Sequence, residues 1–287
     1  MNHDKLDELL PITVLILTKN EAKAIEACIK SVENFDQIIV IDSGSTDNTK
    51  IIANSLGAQT IEFVWNGKYP KKKQWSLELA DIKNDWVLFL DADENVSPQL
   101  ASEILRIYKN KDFMNYFAFE IPILYSFMGK FLKHGHKVKK ISLVNRRYCH
   151  FPVVDDLHVA NMWEVEGHYQ PMYQGRLGKL SSYLIHLDPD PLYDYFARHN
   201  RYSDWEAELA LDTNLSQSVL TSRTKQGKIF NRLAFKPIVF FIYSFFIRKG
   251  LLDGRAGFHY AVALSFYYWQ ISVKTRERRG FAQTKPI

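Results

Sequence analysis

The N-terminal part of the chain reads as short apolar runs separated by helical patterns. "ITVLIL" (Ile12 to Leu17), "QIIVID" (Gln37 to Asp42), "AQTIEF" (Ala58 to Phe63) and "DWVLFL" (Asp85 to Leu90) are rich in β-branched and apolar residues, as strands covered on both faces are. Between them one helix is predicted from near Glu21, a second from near Thr46 to Gly57, and a third over "KKQWSLELA". Ser97-Pro98 then supplies an N-cap and a proline at the first helical position of a fourth. Such alternation predicts right-handed crossovers and a mostly parallel sheet with helices on both faces, an α/β fold. Ligands bind these sheets beyond the carboxyl ends of the strands. Three of those ends carry polar clusters: "TKNE" (Thr18 to Glu21), "DSGSTD" (Asp42 to Asp47) and "DADE" (Asp91 to Glu94).

The third cluster poses an electrostatic problem. An apolar strand, Trp86 to Leu90, runs into Asp91, Asp93 and Glu94. Clustered carboxylates repel, and each costs free energy to desolvate, so a positive group belongs beside them: a lysine or a metal ion. Asp91 and Asp93, two residues apart in an extended turn, point to one side and can offer oxygens to Mg²⁺ or Mn²⁺.

Composition narrows the classes. At 287 residues, 46% hydrophobic, the chain can bury a sizeable core. Its net charge of +5 is concentrated in "KYPKKK" (Lys68 to Lys73) and "KTRERR" (Lys274 to Arg279), each either a solvated face or a surface for an anionic partner such as phosphate or membrane. No nucleic-acid partner is expected. The two cysteines, Cys28 and Cys149, offer no disulfide framework or zinc spacing, and Cys28 shares a helical stripe with Ile25, Ile29 and Val32. "MNHDKLDELLP" lacks the features of a signal peptide, which predicts a cytoplasmic protein, with peripheral contact on the inner face of the cytoplasmic membrane left open by "KTRERR" beside the aromatic apolar segments. No G-x-G-x-x-G follows the first strand and no P-loop occurs, which argues against nicotinamide, flavin and P-loop enzymes.

"TVLILTKNE", "IIVIDSGSTDNT" and "WVLFLDADE", in this order and spacing, resemble the nucleotide-sugar domain of family 2 glycosyltransferases, which have the GT-A fold. "KYPKKKQWSLELA", "LIHLD", "FARHNRYSDWEAEL" and "IRKGLLDGRAGFHYAV" resemble the branch containing bacterial lipopolysaccharide-core glucosyltransferases. The resemblance implies an inverting, metal-dependent hexosyltransferase using Mg²⁺ or Mn²⁺. It makes Asp93 the direct metal ligand, with Asp91 on the ribose or a metal-bound water. Asp42 would bond the base, Glu21 would lie near base or ribose, and Thr18 and Asn20 would line the same donor site. Lys73 matches a family lysine or arginine near the donor, with Lys71 and Lys72 its solvated neighbours. Ser43 stands where many relatives carry a second aspartate. His186 matches a family histidine that ligates metal or holds the diphosphate.

The resemblance also implies a carboxylate general base, and "VVDDLHVANMWEVEGHYQP" offers Asp155, Asp156, Glu164 and Glu166. Glu166 is favoured, because "EGHYQP" precedes "GRLGKL" at nearly the family spacing. "DYFARHNRYSDWEAEL" predicts a helix whose Phe196, Tyr202 and Trp205 pack, with Arg198, His199 and Arg201 candidates for the acceptor cleft. "PIVFFIYSFFI" (Pro237 to Ile247) is too short to span a bilayer and suits packing or a membrane interface equally; "AVALSFYYWQISV" (Ala261 to Val273) favours packing. The expected organisation is a nucleotide-sugar half over 1–120, an acceptor half over 121–190 and a helical region over 191–287. The expected reaction moves a hexose from a nucleotide sugar, a UDP-sugar favoured, to a hydroxyl of a bacterial surface glycan or lipid-linked precursor. A nucleotidyltransferase and a non-catalytic nucleotide-binding relative are the alternatives, and the oligomeric state is open.

Overall fold

A computed structural model of the chain describes residues 9–153, 170–189, 191–211 and 235–283. The chain divides into two compact units: Met1–Tyr125, Val138–Phe151 and Glu164–Pro189 form the first, and Ser126–Lys137, Pro152–Trp163 and Asp190–Ile287 the second.

The first unit is built on a mixed sheet. Strands β1 (Leu10–Thr18), β2 (Phe35–Asp42), β3 (Gln59–Glu62) and β4 (Trp86–Asp91) are mutually parallel in the order β3-β2-β1-β4. Helices α1 (Ile25–Lys30), α2 (Thr49–Ser55) and α3 (Lys72–Leu77) lie in the connections, as the alternation predicts. Each helix is shorter than its sequence pattern, because turns precede α1 and α2. After a short β5 (Glu94–Val96), the Ser97 hydroxyl accepts the Leu100 N–H at 3.2 Å and starts α4 (Pro98–Lys109).

The sheet then continues through strands that the N-terminal pattern did not foretell. β8 (Lys139–Asn145) runs antiparallel between β4 and β6 (Ala118–Phe127), and β12 (Leu184–His186) joins β6 in parallel and β5 in antiparallel fashion; the short β7 (Lys130–Phe131) and β11 (Leu177–Lys179) also pair with β6, and β9 (Cys149–His150) pairs with β10 (Met172–Tyr173). β1 is buried along nearly its whole length, and Ile25, Cys28 and Ile29 of α1 pack with Leu100 and Ile104 of α4 into one core. Cys28 is fully buried, in keeping with its place on an apolar stripe.

The second unit is mainly helical. It holds α5 (Leu192–Leu209), α6 (Lys236–Phe241), a π-helical turn (Ile242–Ile247), a 3₁₀ turn (Gly250–Asp253) and α7 (Gly254–Gln283). "AVALSFYYWQISV" is thus the middle of one long helix. Trp205 of α5 packs as expected, whereas Phe196 is 42% exposed, a correction to its expected burial. Lys274 bonds the Asn200 carbonyl and Ser203 Oγ at 2.8 and 2.7 Å and pairs with Asp204 at 2.9 Å, while Arg278 reaches Glu208 at 3.3 Å. Half of the basic "KTRERR" run therefore braces α7 against α5.

Asp253, buried at 3% exposure, is the joint of this unit. Its carboxylate accepts the N–H groups of Lys133 and His134 at 3.2 and 2.7 Å and lies 3.0 Å from His134 Nδ1, while Lys130 bonds its carbonyl at 3.0 Å. The backbone here is so close that only glycine fits: a Cβ on Gly257 would fall 2.1 Å from the Gly250 carbonyl oxygen, and one on Gly250 2.8 Å from that of Ser244. "KGLLDGRAGFH" is therefore, within this unit, a folding motif.

Candidate active site

The parallel strands of the first unit bring their polar ends level. Thr18 of β1 lies opposite Asp42 of β2, and Leu17 opposite Asp91 of β4. The three clusters thus gather at one sheet edge, as expected from parallel topology.

Thr18, Asn20 and Glu21 meet the "DSGSTD" loop through hydrogen bonds. Asn20, in the left-handed region at φ 58°, donates its N–H to Ser45 Oγ at 2.8 Å, and its side-chain oxygen accepts the Thr46 N–H at 2.8 Å. Asparagine tolerates that backbone conformation better than most residues. Glu21 N–H donates to Thr49 Oγ1 at 2.8 Å. Asp42 is fully buried and accepts both the N–H of Ser45, at 2.8 Å, and the Ser45 hydroxyl. Asp47 accepts the N–H groups of Thr49 and Ala22 at 3.0 and 3.1 Å. Burial works against its charge, but these bonds and that from the Thr49 hydroxyl hold its carboxyl below the usual range. These bonds tie the loop to the end of β1, yet two hydroxyls there, Thr18 Oγ1 and Ser43 Oγ, are buried with no partner among the described residues. A buried polar atom without a partner costs roughly 1–3 kcal/mol, a cost that a bound ligand can offset.

The lysines differ from their expected places. Lys71 and Lys72 are not solvated: both are buried, Lys72 Nζ donates to the Thr18 carbonyl at 2.8 Å, and Lys71 lies over the Trp65 ring at 5.1 Å. A lysine stem buries well when its ammonium finds an acceptor or an aromatic face. Lys73 lines a narrow cleft with Phe89, Asp91, Lys140, Phe151 and Gln170.

Beside the acids the chain supplies its own cation, Lys140, which the sequence reading passed over. Lys140 Nζ pairs with Asp91 Oδ2 and lies 2.6 Å from Glu94 Oε1, while Glu94 Oε2 accepts the Asp91 N–H at 3.1 Å. Counting along the antiparallel pair from Leu88↔Leu143 brings Lys140 level with Asp91. Burial opposes ionisation of Asp91, but the charges of Lys140 and then Lys73 outweigh it and hold the carboxyl well below its ordinary range. Glu94 shifts upward instead, because burial and the nearby Asp91 exceed the help of Lys140. Burial disfavours the Lys140 ammonium, yet Asp91 and Glu94 keep it charged.

His186 stands opposite Glu94 in the β12–β5 pairing, with Nε2 3.1 Å from Asp93 Oδ2 and its ring 4.7 Å from that of Tyr125. Burial alone would lower its pKa, but Asp93 raises it to about 9. Its Nδ1 is buried without a partner among the described residues. Asp93 and His186 thus form one oxygen–nitrogen pair, while Asp91, also expected near the metal, is engaged by Lys140. Among the described residues no three His, Cys, Asp or Glu side chains are grouped to hold a metal by themselves. Asp93 suits a hard divalent ion whose shell is completed by substrate oxygens, and His186 could add its nitrogen on losing its proton. Asp155, Asp156, Glu164 and Glu166 lie outside the described residues.

The family model described as "Glycosyl transferase family 2" matches residues 13–135. An uncharacterised glycosyltransferase of Rickettsia typhi is 31% identical over 271 residues, covering 93% of this chain and 87% of that protein. A lipopolysaccharide core biosynthesis glycosyltransferase, LpsC of Rhizobium meliloti, is 24% identical over 279 residues, covering 94% of each. Among solved structures, glucosyl-3-phosphoglycerate synthase from Mycobacterium tuberculosis, in complex with Mn²⁺, UDP and glucosyl-3-phosphoglycerate, is 28% identical. That match covers 41% of this chain and 44% of that one, with a TM-score of 0.32. An α/β fold of GT-A type, followed by C-terminal helices, is thus built by a chain that, by sequence over nearly its whole length, belongs to the family 2 glycosyltransferases.

Proposed function

We propose that the protein transfers a hexose from a nucleoside-diphosphate sugar, UDP-sugars first among the donors, to a hydroxyl of a bacterial surface glycan or its lipid-linked precursor, with inversion. The observation that carries the donor half is the alignment of Thr18, Asp42 and Asp91 at one sheet edge, with two buried hydroxyls lacking partners beside them. The name of LpsC supports the acceptor class.

In this reading Thr18, Asn20, Glu21 and Asp42 form the wall against base and ribose, and Ser43 offers a neutral hydroxyl there. Lys73 faces the diphosphate. Asp93 and His186 would hold a Mg²⁺ or Mn²⁺ ion, which supplies Lewis-acid charge to the departing diphosphate. Asp91, pinned by Lys140, is left to meet the ribose or a metal-bound water. Glu166 deprotonates the acceptor hydroxyl.

A thermal-shift panel of nucleotides and nucleotide sugars, with and without Mn²⁺, tests the donor half, since ligand at about 100 times its Kd adds roughly 2.7 kcal/mol of stability. A response to nucleoside triphosphates alone would instead point to nucleotidyl transfer. For the base, Glu166→Gln is expected to keep donor affinity and lose on the order of 10²–10⁴-fold in rate. If Asp156→Asn is inactive while Glu166→Gln is not, the base lies in "VVDD".

A further inference from the structure

Two apolar stripes of the second unit stay open to solvent. On α7, Phe258, Val262, Phe266, Trp269 and Val273 recur every three or four residues, and each is 42–49% exposed. The opposite side of the helix carries Ala256, Tyr260, Ala263 and Tyr267, all buried. Phe235, Ile238, Ile242 and Phe246 repeat the spacing ahead of it, at 46–78% exposure. Phe258 reaches the second stripe through half-buried rings: it lies 6.0 Å from Phe241 and 5.6 Å from Phe245, and Phe245 lies 5.1 Å from Phe246. Single exposed apolar residues need no explanation, but a contiguous patch of this kind marks an interaction surface.

Charge selects the occupant. From Phe235 to Val273 the only acid is Asp253, and it is buried in its joint with Lys133 and His134. Arg248, Lys249 and Arg255 of the same span are exposed. A second copy docking through the same span would offer these cations no exposed acid, since the span's one acid is buried. An anionic lipid surface instead accepts both features: aromatic and aliphatic side chains enter the boundary below the headgroups while cations meet phosphates. No helix among the described residues is long and apolar enough to cross a membrane, so this surface would lie on one.

We propose that the exposed face of α6, the π-helical turn and α7 docks on an anionic bilayer surface. Arg248, Lys249 and Arg255 meet the lipid phosphates, a role that Lys274 and Arg278 do not share because Asp204 and Glu208 engage them. The proposal rests on the second unit alone, and vesicle binding needs neither donor nor acceptor, so its failure leaves the transferase reading intact.

The test is flotation of the full chain with vesicles of phosphatidylglycerol and phosphatidylcholine, against phosphatidylcholine alone. The wild type is expected to float with the anionic vesicles at low salt and to stay down with the neutral ones. Each cation removed should weaken partition about fivefold, so Arg248→Ala with Lys249→Ala should weaken it about 25-fold. Phe266→Ser with Trp269→Ser should weaken it by at least about tenfold. Both variants alter exposed side chains and should keep the wild-type melting temperature. Failure of the wild type to float at low salt, or unchanged partition in both variants, overturns the proposal. Light scattering that finds a dimer dissolved by Trp269→Ser assigns the face to a second copy and overturns it as well.

Discussion

Each unit buries acids at a chain reversal, and the two sets are satisfied in different ways. Asp253 of the second unit receives two backbone N–H groups and faces the His134 ring, so its acceptors are used locally. In the first unit Asp91 and Glu94 share one lysine, and three polar atoms at the carboxyl ends of its strands, Thr18 Oγ1, Ser43 Oγ and His186 Nδ1, have no partner among the described residues. A satisfied acid holds a fold together. Unsatisfied polar atoms at the same strand ends are expensive to bury empty, which is what the proposed donor would relieve. The same residue type thus holds the fold in one unit and, in the proposed function, serves chemistry in the other.

The sharpest way to break the comparison is Asp93→Asn. The isosteric amide keeps the shape but removes the charge facing His186, and transfer is expected to fall on the order of 10³-fold, the scale of several kcal/mol of charge stabilisation. Because Asp93 holds the His186 pKa at about 9, the same change should also cost roughly 2–3 kcal/mol of stability near neutral pH, a smaller loss than that in rate. Equal damage to rate and stability would make Asp93 a structural acid like Asp253.

Lys140→Met should cost about 3 kcal/mol in urea unfolding, the lower end for removing one partner of a buried ion pair, because Asp91 is partly open to water. Lys140→Arg should be milder. A stable Lys140→Met protein would mean that the acids are held by solvent.

The pH response of the second unit offers a smaller effect. Burial, with the Arg248 charge, lowers the His136 pKa to about 4. Between about 6.5 and that value the unfolded chain binds the extra proton, so stability should fall as pH drops through this window, by at most about 3 kcal/mol. His136→Gln should flatten thermal-unfolding midpoints across it. The smallest change is Asp253→Asn, which keeps one acceptor oxygen and should cost about 1–2 kcal/mol with donor binding unchanged.

Much of the first unit was legible in the sequence because its signals are local. The β-branched runs overlap β1 to β4, Ser97 caps α4, and the three polar clusters follow from where those strands end. The lysine run misled because a solvated lysine and one buried against a carbonyl have the same local pattern. The short β5 and strand β8 were missed for a similar reason: "ENV" and "KKISLVN" become strands through their neighbours.

The sequence by itself determined an alternating α/β chain, acids waiting at a strand end and the family to which it belongs. It also posed the choice between a lysine and a metal ion, but the tertiary structure decided which chain cation reaches the acids. Lys140 is separated from Asp91 by 49 positions and meets it only because β8 runs antiparallel beside β4. His186 reaches Asp93 only through the β12–β5 register, and Asp253 reaches Lys133 across 120 positions. The same holds for α7, whose composition is apolar on both sides. Periodicity reports which residues share a face, whereas partnership depends on non-local contacts, and only packing decided which face of α7 was buried and which was left to solvent.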